Sequence, residues 1–207
     1  MEDWVEPTKD EIDQVAGLVR SNRWQNAFSH GVDDISFLDD GFVSEIPAHQ
    51  TILDYWTAQK ATRPDGLFTV KMVNPTEIPS ILSNVMLLDI VDDGFDARYR
   101  VYGTGIVSKV GKDWSGKLVS EMNRSVRSNQ ALFYRGCYRA VFLENRAMFT
   151  KHQAISWLDA NTWQRLILPV YTECGGTMAR FLVCNIAEKG RALSAHEWTV
   201  MNQTRYD

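Results

Sequence analysis

Apolar residues near the beginning of the chain recur at helical intervals. Ile12, Val15 and Val19 stand three or four positions apart, which favours a helix with one buried face. Thr8 precedes Glu11 by three residues, the spacing of a capping box at a helix N-terminus. The pattern therefore predicts an N-terminal helix that begins just after Thr8.

The stretch that follows this helix has the composition of a loop. Residues 29–44 are rich in Gly and Asp, which favour turns over regular elements. We therefore expect residues 1–44 to form a helical extension and a linker, and residues 45–188 to form the main domain.

Further helices are predicted inside the main domain. One follows Pro47, with Ile52 on its apolar stripe, and another covers roughly residues 127–144, where apolar and aromatic residues recur at helical spacing. Between them, Asn74-Pro75 opens a short helical segment, because Asn is a good N-cap and Pro suits the first helical position.

Strand-length segments dominate the second half of the chain. Apolar runs or period-two alternation between turn-forming residues predict five strands. They cover residues 85–91, 98–103, 148–157, 162–171 and 178–187. The expected fold class is α+β, with a five-stranded antiparallel sheet covered by helices on one face.

The last part of the chain predicts a short helix. Ser194 precedes Glu197 by three residues, which favours a C-terminal helix over residues 195–203. Residues 189–207 are therefore expected to form a tail with a short helix.

Charge and composition exclude several classes of partner. The 207-residue chain has a net charge of −4 and no run of Lys or Arg, so neither nucleic acid nor an anionic membrane surface is an expected partner. No apolar stretch has the length of a bilayer span, and the acidic N-terminus lacks the pattern of a signal peptide. Three cysteines without a Cys-x-x-Cys pair favour a reducing cytoplasm.

The order of two strands, helices and three strands is that of a PAS domain. From about residue 52 to residue 187 the chain resembles a bacterial PAS-type family of small stand-alone sensory and interaction proteins. The motifs that carry the resemblance are Leu53-Asp54-Tyr55-Trp56, Pro75-Thr76-Glu77-Ile78-Pro79, Leu87-Leu88-Asp89-Ile90-Val91, Arg98-Tyr99-Arg100-Val101-Tyr102-Gly103-Thr104, Gly111-Lys112-Asp113-Trp114-Ser115-Gly116-Lys117 and Arg165-Leu166-Ile167-Leu168-Pro169-Val170. This resemblance implies a PAS-like sheet and a ligand-binding or protein-binding role.

Four residues are candidates for lining a ligand pocket. Tyr134 and Tyr138 stand four apart on the predicted helix, and in a PAS fold that helix walls the central cavity. Together with Tyr102 and Arg165 they form either part of the packed core or a small-molecule site. Arg165 lies inside an apolar strand, where a buried guanidinium needs an anion from a carboxylate or a ligand. Position 164 is Gln, where such sequences often carry an acidic residue.

Tightly bound haem and flavin-adduct chemistry are disfavoured. Cys137 lacks the flanking residues of a photoreactive motif and is expected to be an ordinary half-buried cysteine. The histidines have no metal-ligand spacing, and alternation places His152 with Thr150 and Ala154, on a face expected to point away from the apolar side. The histidines are His30, His49, His152 and His196.

Known catalytic motifs are missing from the sequence. The chain lacks a Walker loop, a Gly-x-Ser-x-Gly elbow and a His-Glu-x-x-His motif. The expected function is a non-enzymatic cytoplasmic sensory domain that binds a small ligand, a signalling protein such as a histidine kinase, or both, with homodimerisation through the terminal extensions. The alternatives are a ligand-free interaction module and a small enzyme of the ketosteroid-isomerase type, which needs a carboxylate in its cavity.

Overall fold

The computed structural model describes residues 5–28, 30–127, 130–154 and 160–188. In these ranges an antiparallel sheet packs against helices, so the fold class is α+β as the sequence predicts. The strands are β1 (Val32–Phe37), β2 (Val85–Val91), β3 (Asp96–Tyr102), β4 (Met148–Gln153), β5 (Thr162–Tyr171) and β6 (Met178–Glu188). The α-helices are α1 (Lys9–Arg20), α2 (Pro47–Ala61), α3 (Thr104–Val110), α4 (Val119–Val126) and α5 (Ala131–Glu144).

Within the described residues the sheet has six strands in the order β1-β4-β5-β6-β2-β3, so the prediction of five is wrong. The five predicted segments overlap β2 to β6, with shifts of one or two residues at some ends. The additional strand, β1, lies within residues 29–44, for which the sequence predicts a loop. It forms the edge of the sheet and pairs with β4, with an irregularity between Val32 and Asp34. Charged residues such as Asp33 are common on edge strands because they discourage further pairing, and they give β1 the composition of a loop.

Helical elements cover both faces of the sheet, not one as the sequence predicts. Met86 and Leu88 of β2 join the core beneath α1, α4 and α5, which we call the α5 face. Val85 and Leu87 join a second core beneath α2, the α2 face. The apolar run of β5 supplies both cores, since consecutive strand residues point to opposite sides.

Helix α1 belongs to the core of the α5 face. Its apolar residues Val15, Ala16 and Val19 are buried, and a Cβ on Gly136 of α5 would lie 2.5 Å from a Val15 methyl carbon. The predicted capping box forms between Thr8 and Glu11. The N-terminal region therefore packs closely on the helix that forms one side of the candidate site.

The other predicted helices form, with changes at their ends. Pro47 begins α2, and the Asn74 side chain caps a short 3₁₀ segment at Pro75–Glu77. Residues 104–126 contain two further helices, α3 and α4. The predicted helix over 195–203 lies outside the described residues. In the ranges that the structure describes, no helix is long and apolar enough to cross a bilayer.

Candidate ligand-binding site

A cavity of about 200 Å³ lies on the α5 face, between the sheet, α5 and the α3–α4 region. The strands supply its floor, while α4 and the loop before it supply the opposite wall. Its lining residues are mostly aromatic or apolar, with one guanidinium and one amide on the floor. They are Met86, Tyr99, Tyr102, Val110, Lys112, Trp114, Met122, Ser125, Val126, Tyr134, Trp163, Arg165 and Asn185.

Arg165 is the buried cation of this cavity. It is 5% exposed and lies in β5 between Thr150 of β4 and Asn185 of β6, its partners across the sheet. Its Nε and Nη1 atoms are buried and have no hydrogen-bond partner among the described residues. A guanidinium stays charged in proteins, so this group is a buried positive charge with two unused donor atoms.

The two neighbours of Arg165 in this row also carry unpaired polar atoms. The hydroxyl of Thr150 and the side-chain oxygen of Asn185 are buried without a partner in the described part of the chain. Both residues lie on the α5 face beside the guanidinium. Buried polar atoms normally have hydrogen-bond partners, so this row is unusual in its unpaired groups. Arg165 and Asn185 of the row line the cavity, and Thr150 lies next to it in the sheet.

Tyr134 lies against Arg165 from α5. The guanidinium carbon is 4.5 Å from the centre of its ring, within the range of a cation–π contact. The Tyr134 hydroxyl donates to Gln130 Oε1 at 2.8 Å and lies 3.2 Å from His152 Nε2. Burial raises the pKa of Tyr134 to about 12. The ring therefore forms a neutral, fixed wall of the cavity.

Tyr138 lies one helical turn further along α5 and does not line the cavity. Its ring centre is 5.8 Å from the Arg165 guanidinium carbon and stacks on Phe181 at 5.0 Å. Its hydroxyl is buried and has no partner within the described residues. Of the four residues that the sequence proposes for the pocket, three line the cavity, and Tyr138 packs beside Arg165.

Tyr102 lies at the end of β3 and forms part of the wall opposite α5. Its ring packs edge-on against Tyr99, with 5.1 Å between ring centres. Burial raises the pKa of Tyr102 above its ordinary value. The phenol is therefore neutral. It contributes mainly a flat apolar ring face to the cavity, and its hydroxyl group is the one polar atom of the side chain.

The loop between α3 and α4 carries Trp114 into the cavity. Gly111 and Gly116 adopt positive φ angles of 78° and 81°, and the Asp113 carboxylate accepts from the Ser115 backbone at 2.8 Å. These features hold residues 111–116 in a fixed loop. The indole nitrogen of Trp114 is buried without a partner in the described ranges, and Lys112 Nζ lies 4.0 Å from the centre of the Trp114 ring.

His152 is buried on the α5 face, so the expectation that it points away from the apolar side is wrong. The grouping with Thr150 and Ala154 holds, and all three are buried because α5 covers this side of β4. The His152 ring lies 4.6 Å from that of Phe133. Burial, with a smaller effect of Arg165, lowers the pKa of His152 well below its ordinary value, so the imidazole is neutral.

The remaining groups with possible cofactor chemistry are dispersed. His49 is buried on the α2 face, where burial lowers its pKa to about 4. Cys137 is fully buried in α5, and burial raises its pKa to about 12. His30 is exposed, and His196 lies outside the described residues. Within the described ranges, no three His, Cys, Asp or Glu side chains are grouped so as to hold a metal ion.

A larger groove of about 650 Å³ runs beside α2. Its charged residues already have partners: Arg146 pairs with Asp39 at 3.2 Å, and Lys60 lies 3.9 Å from the Trp56 ring centre. None of the described lining residues carries a buried unpaired polar atom. The smaller cavity at Arg165 is therefore the better candidate site.

Comparisons with family models, with curated proteins and with solved structures give no significant match. What the site can bind therefore follows from its own residues.

Sequence reasoning misses much of the cavity wall. Trp114, Trp163 and Asn185 come from a loop and two strands that only the folded sheet brings together. One signal was present for Asn185, because it is a polar residue within an apolar strand, as Arg165 is. What the assembled residues can do chemically is bind: a buried guanidinium and an indole that lack hydrogen-bond partners in the described ranges border a small space bounded by aromatic rings.

Proposed function

We propose that the protein is a PAS-type sensory or regulatory domain that binds a small ligand in the cavity at Arg165. The observation that carries this proposal is the buried guanidinium whose Nε and Nη1 lack partners beside a cavity of about 200 Å³. Burying an unpaired charge costs several kcal/mol. An anionic ligand bound at Arg165 compensates the buried charge and explains why a guanidinium is kept at this position.

The topology supports the PAS-like part of the proposal. Leaving aside β1, the chain runs through two strands, three helices and three strands, the order on which the resemblance rests. The first and last of these five strands, β2 and β6, lie side by side, as in a PAS-like sheet. Helix α5 crosses the same face as the cavity, where a PAS domain holds its ligand.

We further propose that the ligand signal passes to a protein partner, such as a histidine kinase or a second copy of the chain. The apolar stripe of α1 is already buried against α5. A homodimer would therefore form through a surface other than the apolar stripe of α1. Trp24 is also buried in the α5-face core and is not free for an interface.

The enzyme alternative has less support. An isomerase of the ketosteroid type needs a carboxylate base in its cavity. None of the described residues that line the cavity at Arg165 is Asp or Glu. These residues include a cation for binding an anion but no carboxylate to take a proton from carbon, which favours a binding role.

A cytoplasmic location is part of the same proposal. Cys137, Cys174 and Cys184 are all free thiols, and free thiols persist in a reducing compartment.

Extraction of small molecules from the natively purified protein tests the proposed function. We expect denaturation to release about one equivalent of a small molecule, or a metabolite mixture to raise the melting temperature. The control is Val126→Phe, which enlarges a partly buried side chain of α4 that lines the cavity. If neither effect occurs, or if Val126→Phe leaves both unchanged, the chain is better described as a ligand-free interaction module.

A further inference from the structure

We infer that the ligand of this cavity is a small monocarboxylate with a flat, largely apolar body, bound through the guanidinium of Arg165. This inference rests on the proposed function and specifies the class of molecule that the site takes. It follows from the number of buried charges, the shape of the donor group and the nature of the walls.

The donor geometry favours a carboxylate. A guanidinium offers two pairs of parallel N–H groups, Nε with Nη2 and Nη1 with Nη2, and either pair matches two carboxylate oxygens. Nε and Nη1 of Arg165, one from each pair, have no partner among the described residues. A neutral amide offers only one acceptor oxygen and no charge. The site should therefore bind a carboxylate more tightly than the corresponding amide.

The charge count favours a monoanion. Among the lining residues that the structure describes, Arg165 is the only buried Lys or Arg, since Lys112 is exposed at the rim. A second carboxylate deep in the cavity would remain without a cation, which is costly in a medium of low polarity. Lys112 instead lies where it can attract anions toward the entrance.

The walls favour a flat apolar body. Five aromatic rings bound the space, and they come from four separate parts of the fold. They are Tyr99, Tyr102, Trp114, Tyr134 and Trp163. The volume of about 200 Å³ accommodates a molecule of the size of a substituted benzene ring.

Binding of simple aromatic probes tests this inference. Benzoate, benzamide, phthalate and inorganic phosphate are titrated into the protein while the Trp fluorescence is followed, and calorimetry gives the Kd. We expect benzoate to bind with a Kd about tenfold or more below that of benzamide, because only the carboxylate makes two charge-assisted bonds. Phthalate should bind more weakly than benzoate, and phosphate should not compete.

Three substitutions assign the preference to Arg165. Arg165→Met should remove the difference between benzoate and benzamide, while Arg165→Lys should keep only part of it, because the ammonium lacks the paired N–H groups. Arg180→Met is the control, since Arg180 pairs with Asp89 at 2.7 Å and does not line the cavity. Circular dichroism checks that each variant is folded.

Failure of the inference is distinct from failure of the proposed function. If benzamide binds as tightly as benzoate, or if Arg165→Met keeps the preference, the carboxylate assignment is wrong while the cavity remains a ligand site. If benzoate does not bind to the wild-type protein, the inference is overturned as well. The extraction experiment then decides separately whether the cavity holds any ligand.

Discussion

The guanidinium carbon of Arg165 lies 4.5 Å from the centre of the Tyr134 ring. This contact stabilises the charge, but a cation–π contact supplies only about 2 kcal/mol even when desolvated. Removing a guanidinium from water costs several kcal/mol. No carboxylate forms an ion pair with Arg165 in the described part of the chain, so the charge is only partly compensated.

Replacing Arg165 should therefore stabilise the ligand-free protein. We expect Arg165→Met to raise the free energy of unfolding by about 1–2 kcal/mol, because a flexible apolar side chain fills the space without the desolvation cost. Urea denaturation at neutral pH measures this change. A loss of stability would show that Arg165 has a structural partner and would weaken its assignment to a ligand.

Arg135 provides the matched comparison for a buried arginine that has partners. Its Nε donates to the Phe95 carbonyl at 2.8 Å, and its Nη1 pairs with Glu6. Arg135→Met should lower the free energy of unfolding by about 1–3 kcal/mol, since it leaves these acceptors without their donor. Equal effects at Arg135 and Arg165 would contradict the distinction between a structural and a binding arginine.

Tyr134 and Tyr138 should respond in opposite directions to loss of their hydroxyl groups. Tyr134→Phe removes contacts to Gln130 and His152 and should cost about 1 kcal/mol of stability. Tyr138→Phe removes a buried hydroxyl without a partner and should be neutral or stabilising by about 1 kcal/mol. Thermal denaturation of both variants tests this, and a larger loss for Tyr138→Phe would contradict the assignment.

Glycine substitutions test how closely α1 packs on the domain. Gly136→Ala places a Cβ 2.5 Å from a Val15 methyl carbon and should destabilise the protein by about 1–3 kcal/mol. Gly17→Ala lies on the exposed side of α1, with nothing within 4 Å of its Cβ, and should stabilise the helix by up to about 1 kcal/mol. If both are neutral in urea denaturation, α1 is a detachable extension.

Two buried histidines should make the protein sensitive to mild acid. The pKa of His49 is lowered to about 4 and that of His152 well below its ordinary value, both chiefly by burial. The unfolded chain takes up these protons near pH 6.5 and the folded chain does not, so stability is full above that pH and falls below it. We expect a loss of about 2–3 kcal/mol between pH 7.5 and pH 5.5.

Denaturation of His152→Gln at the two pH values measures the contribution of His152 to the acid-induced loss of stability. The substitution should remove about half of the acid-induced loss. The exposed His30 gives the control variant, and His30→Gln should leave the loss unchanged. If His152→Gln loses as much stability between the two pH values as the wild-type protein, then His152 is protonated in the folded protein.

The element order and most of the strands could be predicted from the sequence, because caps and apolar spacing are local signals. Thr8 with Glu11 and Asn74 with Pro75 act within a few residues of one another. The second covered face was also signalled, since the unbroken apolar run at residues 166–170 is typical of a strand buried on both sides. This local signal outweighs the strand order, from which helices on one face are expected.

The site was only partly predictable because its environment depends on distant segments. Arg165 stands out as a charge in an apolar strand, but whether a carboxylate reaches it depends on what α4, α5 and two neighbouring strands place beside it. His152 shows the same limit: period-two alternation groups it correctly, yet only the position of α5 decides that this face is buried. The acidic composition of β1 conceals an edge strand for a similar reason, since its pairing partner is more than a hundred residues away.

The side-chain NMR resonance of Arg165 tests the central claim most directly. In nitrogen-labelled protein its Nε–H signal can be identified by its absence from the Arg165→Met variant. We predict that saturating benzoate moves this signal strongly downfield, as expected for a new bond to a carboxylate, while benzamide moves it little. A signal that stays in place while benzoate saturates the protein, or that moves equally with both probes, would contradict the assignment of Arg165 as the anion-binding residue.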